Sequence, residues 1–409
     1  MMWKLLGGVA LVLLVIVSAV IGSDLLRKQS EWDRIASPYS FNIIRWEFEN
    51  LFDKWEYKLR EVFDKSELSE AESVQLVKDY LSLAQEITSL EARINREKSE
   101  GLASEKEIAD WEAQLTALKT ERDRQEGQVE EIIEGQISGV LADEGLSTTL
   151  KLGGEVELLF PPVDFEFEER PNLLIVSTRH KIEFVDTVLL RPGMSLEEMV
   201  EIEGAVEALD YSGLVEPLGG VATYPSIVSR MPSLQNLLSK IAHEWLHHYF
   251  FFRPLGQKYW SNYEMTTINE TAADIAGNEI GLMVYEHYYA GGEEMVPPAE
   301  EQEPAFDFGR EMREIRTAVD DYLLEGKIGE AERYMEEKRE FLEANGYYIR
   351  KLNQAYFAFH GTYADTPTSV SPIGDQLRKL REQSSSLGDF ISTVSGISSY
   401  EELLEVIGE

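Results

Sequence analysis

The sequence predicts an α+β chain, rich in helix, with one small sheet between helical segments. Three observations carry this. Apolar residues recur at heptad spacing before residue 142. Short β-branched and aromatic segments, punctuated by proline, occupy roughly 155–225. Helical periodicity then returns at Pro232 and runs almost to the end. Composition agrees, since 43% hydrophobic and 10% aromatic residues suffice for a core in a chain of 409. The formal charge of -37, from 38 basic and 75 acidic residues, repels phosphate backbones and argues against nucleic acid as a partner. The absence of cysteine excludes disulfides, iron–sulfur clusters and a thiol nucleophile.

Residues 1–24 read as a transmembrane anchor or signal. Leu5 to Gly22 carries no charge and is just long enough to span a bilayer. No A-x-A site follows, and the apolar run exceeds a signal peptide's usual core, so a retained anchor is the preferred reading. It makes the chain a single-pass membrane protein with its bulk outside the cytoplasm.

Residues 25–142 read as a helical coiled-coil hairpin. Leu76, Tyr80, Leu83, Ile87, Leu90 and Ile94 alternate steps of four and three, and "EKSEGLAS" (97–104) interrupts them. A second seam follows with Ile108, Trp111, Leu115, Leu118, Val129 and Ile132, in which Arg122 and Gln125 predict looser packing. The hairpin reads as a stalk or packing arm, with self-association through it as the alternative.

Residues 143–290 change texture. "EVELLF", "VDFEFEE", "NLLIVSTRH" and "KIEFVDTVLL" read as strands of a small sheet, and "GGVATYP" (219–225) as a short edge strand. A helix over 195–209 has Ser195 as its N-cap and Glu198 three residues on. Two further helices are expected, one beginning at Pro232 and one over about 265–288. Residues 291–307 are acidic and proline-rich and read as a surface loop. Residues 308–409 read as helical, interrupted at 366–375.

The chemistry concentrates in "KIAHEWLHHYF" (240–250), which holds three of the six histidines. His243 and His247 lie one helical turn apart on one face and can share an ion, with Glu244 able to reach a water held there. Leu234, Leu238, Ile241 and Trp245 form an apolar stripe away from them. On the next helix, "TTINETAADIAG" (266–277) sets Glu270 and Asp274 on one face. Glu270 can be the third ligand, and Asp274 can accept the second N–H of a ligand histidine. His248 points elsewhere and reads as structural.

H-E-x-x-H followed by N-E-x-x-x-D resembles the gluzincin metallopeptidases, of which thermolysin is the familiar member. The resemblance covers roughly residues 230–290. It implies a zincin-like catalytic region at 143–290, completed by the helices of 308–409, and one Zn2+ held by His243, His247 and Glu270. It further implies Glu244 as general base, and Asp274 as the hydrogen-bond partner of His243, with Asn269 beside the ligands. The substrate is then a peptide or protein, and the membrane is met through the N-terminal helix. No G-x-M-E-N motif lies on "GGVATYP", so nothing there grips a free amino terminus. "KLNQAYFAFHGTYAD" (351–365) is weakly similar to part of a bacterial family described as aminopeptidases, and the choice between endo- and exopeptidase stays open. Tyr363 and His360 are candidate donors to the oxyanion, with Tyr285 and His287 as others. A zinc scaffold without catalysis and a hydrolase of non-peptide amides are the alternative functions.

Overall fold

The computed structural model describes residues 30–43, 46, 68–100, 103–151, 155–290, 306–364, 366 and 368–409. The apolar run of 5–22, most of 44–67 and residues 291–305, expected to form an acidic surface loop, lie outside them. The expectation of a single-pass membrane protein is corrected: among the described residues, no helix is long and apolar enough to cross a bilayer. In the two longest, Glu70–Glu100 and Glu105–Asp143, charged residues recur on nearly every turn, and such helices are too polar to enter hydrocarbon.

The chain forms a mixed, helix-rich α+β structure. Helix α1 (Glu31–Ala36) starts with a reciprocal capping box between Ser30 and Asp33. It buries Trp32 and Ala36 against Leu174, Val176, Val188 and Leu190, and Ser40 bridges to Leu190. Residues 30–40, expected in the hairpin, therefore pack on a sheet. Helices α2 (Glu70–Glu100) and α3 (Glu105–Asp143) form the expected hairpin, and Ser104 caps α3 through a second capping box with Glu107. Towards its tip it is held by exposed pairs such as Lys98–Glu112 at 2.7 Å, worth at most about 1 kcal/mol each. At its root Val77, Tyr80, Val129, Ile133, Ile137 and Leu141 enter the main core. Ile133 is buried where the heptad reading chose Ile132, which is only partly covered. Beside the seam positions Arg122 and Gln125, Glu126 ties the hairpin to the body. Glu126 accepts from Tyr80 Oη and, at 2.8 and 2.6 Å, from Arg230, which also donates to the carbonyl of Phe167 at 2.8 Å.

Three separate sheets form among the described residues, where one was expected. Strands β1 (Ser147–Lys151) and β2 (Glu155–Leu159) pair antiparallel, with Ser147 opposite Leu159. Next come β3 (Phe165–Phe167), β4 (Asn172–Thr178), β5 (Phe184–Leu190), helix α4 (Leu196–Glu207), β6 (Tyr211–Pro217), β7 (Gly220–Val221) and β8 (Ser226–Val228). Strand β4 is the centre of an antiparallel sheet ordered β5–β4–β6. Strand β3 pairs parallel to β8, and β8 pairs antiparallel to β7, which forms one edge as expected. The other edge is covered from α3, whose Glu134 and Glu130 accept from the backbone N–H of Phe165 and Phe167 at 3.1 and 2.7 Å. The capping box of α4 at Ser195 and Glu198 is the one expected.

Helix α5 (Leu234–Phe251) begins after Ser233, whose side chain accepts from the N–H of Asn236, so Pro232 precedes the cap instead of lying in the first turn. A short helix α6 (Pro254–Gln257) leads to α7 (Tyr263–Tyr288), capped by Asn262. Both α5 and α7 are largely buried between the hairpin root and the C-terminal helices α11 (Ile373–Gln383), α12 (Leu387–Ser395) and α13 (Tyr400–Ile407). A second core joins the sheet to helices α8 (Phe308–Leu324), α9 (Ile328–Ala344) and α10 (Gln354–His360).

The spacing of α5 and α7 is set by glycine. A Cβ on Gly277 would stand 3.0 Å from the backbone N of His243 and 3.0 Å from the carbonyl of Ser239. One on Gly281 would meet the Ser239 backbone N at 2.5 Å. These two residues, one turn apart, let the helix backbones touch where any larger residue would force them apart.

Candidate metal centre

His243 and His247 project from α5 towards α7, and the carboxylate of Glu270 comes up to meet them. The two Nε2 atoms are 3.0 Å apart, and Glu270 Oε2 lies 3.6 and 3.5 Å from them. Ligands at about 2.05 Å from a tetrahedral zinc would stand about 3.3 Å from one another. The three separations bracket that value. His243, His247 and Glu270 thus form a group, buried or nearly so, that could hold a metal ion.

The outer nitrogens support the same reading. Asp274 Oδ1 lies 2.8 Å from Nδ1 of His243, and Asn269 Oδ1 lies 2.9 Å from Nδ1 of His247. Acceptor oxygens there place the ring protons on Nδ1 and turn both Nε2 lone pairs towards one point. Two lone pairs and a carboxylate facing each other at this distance repel unless a metal ion or a proton is shared between them. Tyr259 Oη donates to Oε1 of Glu270 and leaves Oε2 facing the imidazoles.

Burial would raise the Glu270 carboxyl, but the imidazoles of His247 and His243 outweigh it and hold the group well below the usual carboxylate range. Burial and Lys240 both push the His243 imidazole down. The hydrogen bonds to Asp274 and Glu270 prevail, and without metal it stands at about 9. Tyr259 and Tyr363 are pushed well above their ordinary value by burial and by Glu270, so both stay neutral phenols.

Tyr363 belongs to the site: its ring lies 6.4 Å from that of His243, near parallel. His360 does not. Its ring packs on Tyr356 and Phe359, and burial lowers it to about 4. Tyr285 and His287 are 15 and 17 residues beyond Glu270, which at about 1.5 Å per residue puts them more than 20 Å along the helix. His248 is half-buried beside Tyr224 with its ring nitrogens covered, and desolvation lowers it to about 4, as suits a structural residue.

Two site residues escaped sequence reasoning. Lys240 Nζ lies 3.0 Å from Glu244 Oε1, an i,i+4 pair that the spacing did display. Tyr259 lies in the loop before α7, where no periodicity marks it. Comparison of the chain with family models, with curated proteins and with solved structures finds no match.

Proposed function

We propose that the chain is a zinc-dependent metallopeptidase of the gluzincin type, with His243, His247 and Glu270 as ligands and Glu244 as general base. The convergence of two Nε2 atoms and one carboxylate oxygen, each backed by a polar partner at close range, carries the reading. A zinc ion bound there supplies Lewis acidity, bringing the pKa of a water towards about 7 and polarising a carbonyl. Glu244 accepts the proton of the attacking water and passes it to the leaving nitrogen. Its carboxyl stays ionised: burial opposes this, but Lys240 and the two imidazoles prevail. Asp274 and Asn269 keep the imidazoles in the Nδ1–H form, and Tyr259 fixes the rotamer of Glu270. Tyr363, a neutral phenol facing His243, is the donor best situated for the developing oxyanion.

A peptide substrate suits the neighbouring sheet. Strand β7 is an edge of its sheet and passes directly over Glu244, since a Cβ on Gly220 would meet Oε1 of that residue at 2.5 Å. An extended chain can add to such an edge through its backbone. The test is Glu244→Gln. We expect the purified variant to retain one zinc per chain and to lose hydrolysis of a labelled generic protein by at least about 100-fold. Undiminished hydrolysis would remove the mechanism, and a parent chain without stoichiometric zinc would remove the metal site.

A further inference from the structure

Beside the ligands, the proposed base Glu244 is paired with a lysine that neither binds the metal nor carries the proton. Lys240 and Glu244 are one turn apart on α5, with side chains 21% and 4% exposed, and their charged atoms are 3.0 Å apart. Two consecutive glycines roof this pair. A Cβ on Gly219 would stand 3.1 Å from Cε of Lys240, and one on Gly220 would collide with the Glu244 carboxylate. The "GG" that opens "GGVATYP" thus leaves the room in which lysine and glutamate lie side by side.

We propose that Lys240 is a positioning residue: its ammonium pins the Glu244 carboxylate beneath the Gly219–Gly220 roof, so that Glu244 serves the metal centre as a base and does not join it as a fourth ligand. The inference deepens the metallopeptidase reading and rests on it. Glu244, Glu270 and Asp274 bring three negative charges to the site. A divalent ion and Lys240 together balance them. Without the lysine, an unpaired buried carboxylate would turn to the strongest nearby cation, which is the metal.

This predicts opposite signs for metal binding and for turnover. Zinc affinity of the full chain is measured by competition with a chromophoric chelator for the parent, K240M, K240Q and K240R, with circular dichroism confirming the fold. K240Q is nearly isosteric and keeps a hydrogen-bond donor, so it remains informative if K240M fails to fold. We expect K240M and K240Q to bind zinc tighter by about tenfold or more, equal to about 1.4 kcal/mol. Hydrolysis of a labelled generic protein should fall in kcat with KM little changed. K240R should keep the parent affinity and recover part of the turnover. A zinc-loaded parent whose K240M and K240Q variants bind zinc no tighter would overturn this inference alone. A parent that holds no zinc would overturn the metallopeptidase reading and this one with it.

Discussion

Gly277→Ala probes the feature on which the metal centre depends, the contact of α5 with α7. The added methyl would lie 3.0 Å from the His243 amide N, 3.0 Å from the Ser239 carbonyl and 3.1 Å from the His243 Cα. All three are backbone atoms and cannot rotate away. Ordinary contact begins near 3.4 Å, so the helices must separate by about 0.4 Å. That is twice the roughly 0.2 Å tolerance of metal–ligand distances. Glu270 lies two turns from Gly277 on the same rigid helix and moves with it. Two effects on stability compete. Alanine favours helix over glycine by about 1 kcal/mol, and overpacking a close contact costs about 1–3 kcal/mol. The net expectation is a loss of about 0–2 kcal/mol with a fall in zinc affinity of about 10- to 100-fold, the range seen when ligand orientation is disturbed. Urea denaturation of the metal-free chain and chelator competition measure the two separately. A variant that is more stable than the parent and binds zinc equally well would refute the claim that this glycine sets the ligand geometry.

Asp274→Asn keeps an acceptor beside Nδ1 of His243 but removes its charge; zinc affinity should fall by about tenfold or more, and unchanged affinity would deny that residue a part in the site. His360 gives a pH prediction. Its folded pKa of about 4 lies below the usual value near 6.5, so the unfolded chain binds the extra proton, and stability present above pH 6.5 is lost as pH falls towards 4. The slope from this residue reaches about 1.4 kcal/mol per pH unit, and His360→Phe should flatten it in denaturation curves taken across that window. Arg230→Met should destabilise the chain by about 1–3 kcal/mol, a value reduced for the pair's partial exposure and for the bond Glu126 keeps to Tyr80, because Glu126 loses its bidentate cation where the hairpin root meets the body. Adding Glu126→Gln to that variant should restore part of the loss in the same urea titration.

Much of the local structure was legible in the residues. Ser195 with Glu198 announced its helix, and proline separated the strands. The i,i+4 spacing of His243 with His247, and of Glu270 with Asp274, put each pair on one helical face. These signals are readable because helix periodicity and capping act within a few residues of chain. Strands β1, β6 and β8 were not read. The last is three residues long and fully buried, too short to display an alternation.

Which face met which was decided only in three dimensions. Periodicity says that Ile132 or Ile133 can line a seam, but the core against which α3 packs selects Ile133. Residues 30–40 have the polarity of a hairpin segment, yet Trp32 finds its apolar surface on β4 and β5. His360 and Tyr363 looked equivalent as donors, and a difference of three residues at the end of α10 packs one on Tyr356 and Phe359 and turns the other towards His243. The ligands themselves meet because Gly277 and Gly281 let two helix backbones touch, and because Tyr259, from a loop without pattern, holds the carboxylate in place. Local chain geometry determined what each helix presents. Long-range steric fit, which depends on residues far apart in the chain and has no period, determined that the presented groups converge.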